Sequence, residues 1–327
     1  MLSVRHAKVA AMDGSSGGIS HGAARIDRPI RIGFERLSIR GRLTSVDGDE
    51  RQLVAGRILR VLVGSGRGCV LQASTCMPMV LVPLRGVLRL VDGESVRTLR
   101  PGQLSVMEPS PCLQIDGSTS ALWIALVASM PVWRQLFDAT TETPTPDPVL
   151  LPALHPADRA LRRVILRVAR EASEAEGGSF ERTPALIRFV TLLADLQSSF
   201  DWLISRCPGR SLAQRRTVFL RLQRAYTSME TNSGRGLGVP EFARIANYSA
   251  CHFVRTFNAV YGETPHTVVT EQRLQRAHRL INETRLSVTE VARASGFEDR
   301  CAFARSFKQR FGLTASATRR SAEVMSI

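Results

Sequence analysis

The sequence predicts an α+β protein in two parts: an N-terminal small antiparallel β-barrel or sandwich with following helices, then an all-α C-terminal domain of two helix-turn-helix units joined by a long linker helix. Three observations predict it. A chain of 327 residues is longer than one ordinary core supports. Between Arg57 and Ala128 short β-rich runs alternate with turn signals, and beyond Pro156 the apolar residues change to a spacing of three and four. From Val239 onward the sequence repeats itself at an interval of 49 to 50 residues.

Taken in order, residues 1–30 are polar, with a Gly/Ser stretch from Gly14 to Gly18, and are expected to form a loose arm without the apolar region of a signal peptide. Strands are expected at Arg57–Val63, Met79–Val91, Ser95–Leu99, Leu104–Met107 and Ala121–Val127, with turns at Asp92-Gly93 and Pro101-Gly102. A Pro/Thr-rich connection from Thr140 to Pro156 leads to a helix over Ala157–Ala175. There Leu161, Val164, Ile165, Val168 and Ala169 make one apolar stripe. Pro184 suits the first turn of a second helix running to about Ile204. These stripes cover the sheet or, in part, form a dimer seam. Cys207-Pro208-Gly209 then breaks the helix, so the expected domains are 31–207 and 208–327.

Charge separates the two parts. The formal net charge is +15, and from Gly209 to the end there are 19 Lys and Arg against 9 Asp and Glu, so ten of those fifteen charges lie in the C-terminal part. Such a surface calls for an anionic partner, nucleic acid or an anionic membrane. No apolar run reaches the length of a membrane span. The six cysteines include no C-x-x-C pair and read as reduced thiols, so a soluble, cytoplasmic protein is expected.

The repeat decides between the partners. Val239-Pro-Glu-Phe-Ala-Arg-Ile-Ala-Asn-Tyr returns as Val288-Thr-Glu-Val-Ala-Arg-Ala-Ser-Gly-Phe, and Phe253-Val-Arg-Thr-Phe returns as Phe303-Ala-Arg-Ser-Phe. Each copy supplies a short helix with a small contact residue (Ala243, Ala292), then a turn residue that tolerates positive φ (Asn247, Gly296). A second helix follows, with aromatic residues every fourth position (Phe253, Phe257, Tyr261; Phe303, Phe307, Phe311). A membrane-surface helix would be one longer amphipathic segment, not an interrupted and repeated one.

With the aromatic side assigned to the core, the outward residues are Cys251, Val254, Arg255 and Asn258 in the first copy. Their counterparts in the second are Arg300, Cys301, Ala304, Arg305 and Lys308. Arg255 and Arg305 are the leading readers of base edges, with a phosphate contact as the alternative for each. Ser249 and Asp299 suit the N-caps of the two second helices, whose free amides attract phosphate. Thr267–Arg285, with Val268, Val269, Leu274, Ala277, Leu280 and Ile281 on one stripe, is the expected linker helix.

At these residues the chain resembles the AraC/XylS family of bacterial transcription regulators. Arg273-Leu274-x-x-Ala277, Gly296-Phe297, Phe303-x-x-x-Phe307-Lys308 and Phe311-Gly312 carry the resemblance over roughly Arg215 to Arg320. Ala315 departs from it where the family commonly has Pro, which Pro265 retains in the first copy. The resemblance implies a seven-helix DNA-binding domain, usually of an activator that contacts RNA polymerase at double-stranded promoter DNA. It also implies an N-terminal domain that senses a small-molecule effector or protein co-regulator, or forms a homodimer. Leu84 to Gly93 and Leu99 to Leu104 are similar to the cupin-like barrels found there.

An enzyme is the competing class. A metal cupin needs a cage of His and Glu, but only His6, His21 and His155 precede the break, with no H-x-H among the strands. Alkyl transfer needs an activated thiol, and Cys112 in Ser-Pro-Cys-Leu has no neighbouring His. The expectation is therefore a nucleoid-associated regulator without catalytic residues, metal or cofactor; its effector-binding residues are not legible.

Overall fold

The computed structural model describes residues 30–37, 57–65, 70–75, 77–92, 95–117, 120–140, 150–174, 183–232, 234 and 236–324. The expected arm, apart from Ile30, lies outside them, as do Gly93, Cys69 and Cys76. Among the described residues ten strands form two sheets. Sheet 1 has the order β1 (Arg31–Leu37), β2 (Ile58–Ser65), β9 (Leu122–Val127), β4 (Met79–Arg85), β7 (Gln103–Met107), β10 (Ala153–Pro156). Sheet 2 has the order β3 (Val70–Thr75), β8 (Ser110–Gly117), β5 (Leu88–Asp92), β6 (Ser95–Leu99). The β1–β2 pair is parallel, where an all-antiparallel arrangement was expected; the other pairs are antiparallel. Among the described residues no strand pairing closes the two sheets into a barrel; they share a core instead.

Strand alternation sorts the core into two layers. Val80, Val82, Leu104, Val106, Ile124 and Leu126 face the helices, whereas Met79, Leu81, Met107, Trp123, Ala125 and Val127 meet Leu88, Leu90, Leu99, Leu113 and Ile115 of sheet 2. A sheet covered on both faces needs near-continuous apolar strands, which is why β4 and β9 read as unbroken runs. The single strand expected over Met79–Val91 is in fact two. Gly86, at φ 73°, breaks it and carries the chain from sheet 1 to sheet 2. The Pro101-Gly102 signal does make a turn, with Gly102 at φ 92° and the Gln103 amide donating to the Arg100 carbonyl at 3.1 Å.

Helices α1 (Met130–Thr140), α2 (Arg159–Glu174) and α3 (Pro184–Ser198) cover sheet 1, and α2 buries the five residues of its expected stripe. The second helix expected to reach Ile204 stops at Ser198, and α4 (Asp201–Arg206) follows it. The break lets Phe200 leave the sheet: its ring lies 5.5 Å from His155 and 5.3 Å from Phe219 of α5 (Leu212–Thr231). Ile204 and Cys207 accordingly pack in the core of the C-terminal helices.

The remaining helices are α6 (Val239–Ile245), α7 (Ala250–Tyr261), α8 (Pro265–Glu283), α9 (Val288–Ala294), α10 (Arg300–Phe311) and α11 (Ala315–Val324). With α5 they make seven among the described residues. The linker α8 serves two cores: Val268 and Val269 pack with α5, α6 and α7, whereas Leu274, Ala277 and Ile281 pack with α9 and α10. The departure at Ala315 does not prevent a helix start, because α11 begins there just as α8 begins at Pro265. Thr314 and Thr264 each accept an amide hydrogen bond at 3.2 Å. No helix of the described residues is long and apolar enough to cross a membrane.

Candidate nucleic-acid interface

The two units close their turns in the same way. In the first, Asn247 takes φ 57° and the Tyr248 amide donates back to the Ala243 carbonyl at 2.9 Å. In the second, Gly296 takes φ 86° and Phe297 donates to Ala292 at 3.0 Å. A left-handed residue followed by a bond spanning six residues satisfies the last carbonyls of the short helix and turns the chain sharply. The interval of 49 then becomes 50 through Glu298, which stands between Phe297 and the cap Asp299. Glu241 and Glu290 close the other ends of the short helices by accepting from the Gly238 and Ser287 amides.

Phe253, Phe257, Phe303 and Phe307 are 0% exposed, and Ala243 and Ala292 are buried beside them. Burying one side of α7 and α10 leaves the other to solvent. Ser249, Cys251, Arg255 and Asn258 are exposed on the first helix, with Val254 half-buried. Asp299, Arg300, Cys301, Ala304, Arg305 and Lys308 are exposed on the second. Among the described residues no carboxylate pairs with Arg255, Arg300, Arg305 or Lys308. Arg255 Nη2 lies 3.9 Å from the Cys251 sulfur, a neutral partner. Four unneutralised cations on faces without core duties are what a polyanion requires. Arg310 is different: its Nε lies 2.8 and 2.7 Å from the two oxygens of Glu271 on α8. Burial would raise the Glu271 carboxyl, but the hydrogen bonds from Arg310 and Gln275 outweigh it and hold it below the usual carboxylate range.

The caps differ between the units. Asp299 accepts from the amides of Cys301 (2.8 Å) and Ala302 (3.2 Å), as expected. Ser249 occupies the cap position of α7 with extended backbone, but its hydroxyl makes no cap bond, which corrects the expected capping. The start of α7 thus has no side-chain cap, and it borders a shallow cleft of about 440 Å³ lined by Arg244, Tyr248, Ser249 and Ala250 among others. Arg244 and Tyr248 did not stand out in the sequence; Arg244 lies on the first helix of the motif, and only the fold brings it beside the start of the second. Cys251 and Cys301 are exposed free thiols.

Residues 242–321 match the family model of a helix-turn-helix domain. The virulence regulon transcriptional activator VirF of Yersinia enterocolitica is 32% identical over 97 residues, 30% of this chain and 36% of that protein. The HTH-type transcriptional regulator ExsA of Pseudomonas aeruginosa is 32% identical over 79 residues, 24% of this chain and 28% of that protein. Among solved structures, a transcriptional regulator from Chromobacterium violaceum described by its AraC-type DNA-binding domain is 26% identical. The likeness covers 31% of this chain and 91% of that one, with a TM-score of 0.29. The chain thus spans about a third of the length of the curated relatives it matches.

Proposed function

We infer, from a C-terminal region that is an AraC-type helix-turn-helix domain, that this chain is a sequence-specific DNA-binding transcriptional regulator, and an activator. The observation that carries the inference is the pairing of a buried aromatic face with an exposed, unneutralised cationic face, twice, on α7 and α10. Arg255 and Arg305 read guanine edges in the major groove, and Asn258 has the chemistry for adenine. Cys251, Cys301, Val254 and Ala304 offer small apolar surface to thymine methyls. Arg300, Lys308 and the amides beside Ser249 take phosphates, while Asp299 acts indirectly by fixing where α10 begins. Residues 208–327 form the DNA-binding domain, against whose core Ile204 of α4 packs, and residues 31–207 the sensing or dimerisation domain. Its exposed Leu166 and Ile187 on α2 and α3 offer a seam for a second copy. RNA polymerase and a small effector or protein co-regulator complete the proposed partners, in the cytoplasm.

The test is selection of binding sites from random duplexes, followed by footprinting. Arg255→Ala and Arg305→Ala should each relax base preference in their own half of the site, at a cost of about 1–3 kcal/mol per lost bidentate contact. Equal weakening on all sequences would make both arginines phosphate contacts.

A further inference from the structure

Away from α7 and α10, Arg97 carries a buried side-chain nitrogen that has no hydrogen-bond partner among the described residues. Arg97 stands on β6, paired in register with Leu90 of β5. On the other sheet Ser105 of β7 is paired with Leu154 of β10. Helix α5 lies over these two rungs, and Thr227 and Thr231, four apart, share the face that meets them. The gap between Arg97, Ser105, Thr227 and Thr231 has a volume of about 10 Å³, room for one oxygen-sized group. Arg97 Nε and Thr227 Oγ1 are both fully buried and both lack a hydrogen-bond partner. Buried donors are matched almost without exception, and an unmatched charged one is the most costly kind. Asp92 is the carboxylate whose field reaches Arg97, yet it accepts its hydrogen bond from Ser110 instead. Burial pulls the guanidinium below its ordinary value, with Asp92 pulling the other way; an arginine nevertheless stays charged.

We propose that Arg97 and Thr227 form the seat of a small monoanion, an effector carboxylate or an inorganic ion, at the junction of the sheets with α5. One anionic oxygen satisfies the Arg97 Nε–H and accepts the Thr227 hydroxyl proton as a hydrogen bond. The apolar neighbours Leu90, Leu99 and Leu154 favour a singly charged ligand over a phosphate. Anything larger than the gap must part α5 from the sheets. Among the described residues, Arg224 of α5 pairs with Glu108, both contacts at 2.7 Å, and Arg100 after β6 pairs with Glu283 of α8 at 3.3 Å. All four side chains are a third or more exposed, so these pairs yield readily. Arg224 is on α5 and Glu283 at the end of α8, so ligand entry reaches both helix-turn-helix units. That regulatory consequence rests on the DNA-binding reading; the seat itself does not.

The experiment is calorimetric titration of the full chain, without DNA, with sodium acetate, sodium benzoate and sodium chloride at one fixed ionic strength. A saturable isotherm is expected, weakened about tenfold or more in Arg97→Met and in Thr227→Val through loss of a charge-assisted hydrogen bond, and unchanged in Arg89→Met on the neighbouring strand. A response to the carboxylates alone assigns the seat to an organic effector, and a response that includes chloride assigns it to an inorganic ion. No saturable isotherm with any of the three, or one that Arg97→Met leaves intact, overturns the proposal and gives the gap to water. If circular dichroism shows Arg97→Met unfolded, Thr227→Val and Arg97→Lys carry the same comparison. Because no DNA is present, failure here leaves the DNA-binding reading standing, and the converse holds.

Discussion

Asn247 holds a left-handed backbone at φ 57°, which ordinary side chains resist because Cβ approaches the following carbonyl. Its equivalent Gly296 at φ 86° has no Cβ and no such resistance. Asn247→Gly should therefore be nearly neutral, whereas Asn247→Val should destabilise the first unit by about 1–2 kcal/mol. Urea denaturation measures this, and an unchanged midpoint for the valine variant would show that the turn relaxes without the left-handed residue. Both turn residues were legible because only a few residue types accept that conformation. The same logic explains Gly64, which sequence pattern did not single out. It pairs with Trp123, and a Cβ built on it would stand 2.0 Å from the indole ring. What makes glycine necessary there is a neighbour 59 positions away in the chain, which no local signal announces.

Helices α7 and α10 are repeats of one another in sequence, yet they begin differently. Asp299 spends both carboxylate oxygens on its own helix, whereas the Ser249 hydroxyl makes no cap bond. Asp299→Ala should thus cost about 1 kcal/mol of stability, and Ser249→Ala close to nothing while weakening DNA binding. Thermal denaturation read alongside a mobility-shift titration separates the two effects; equal stability losses would mean that Ser249 caps its helix in solution. The α helices with strong periodicity, α2, α7, α8 and α10, were legible almost to their ends. Four strands and the helices α1, α5 and α11 were not. In β8 the buried pair Leu113 and Ile115 is offset by Pro111, Gln114 and Asp116, and β10 has only four residues. In α1 the buried Val132, Trp133, Leu136 and Phe137 do carry helical spacing, obscured by a proline in the first turn. The outward faces of α7 and α10 were read by subtraction from the core. The cleft beside Ser249 was not, because it arises between two helices.

Across the whole molecule, the sheets are tied to the C-terminal helices by a buried polar group as well as by the exposed ion pairs. Gln197 on α3 accepts from the Leu151 amide at 2.8 Å and donates to the Leu151 carbonyl at 3.2 Å, which fixes its amide orientation. Its nitrogen, 2.9 Å from His155 Nε2, must then donate, so that ring nitrogen must accept and the imidazole must be neutral. Burial works in the same direction and lowers the His155 pKa from 6.5 to about 4. From His155 the aromatic contacts continue through Phe200 to Phe219 on α5, so a proton on this ring would disturb the joint between the two parts of the chain. A histidine with a depressed folded-state value contributes stability that is present above pH 6.5 and is lost as pH falls toward 4. The loss should reach about 3 kcal/mol at most. His155→Gln keeps a side-chain acceptor but does not titrate, so its stability should fall less steeply over that window. Urea unfolding at a series of pH values decides it. Parallel curves for the two proteins would mean that His155 is reached by water and protonates without cost to the fold.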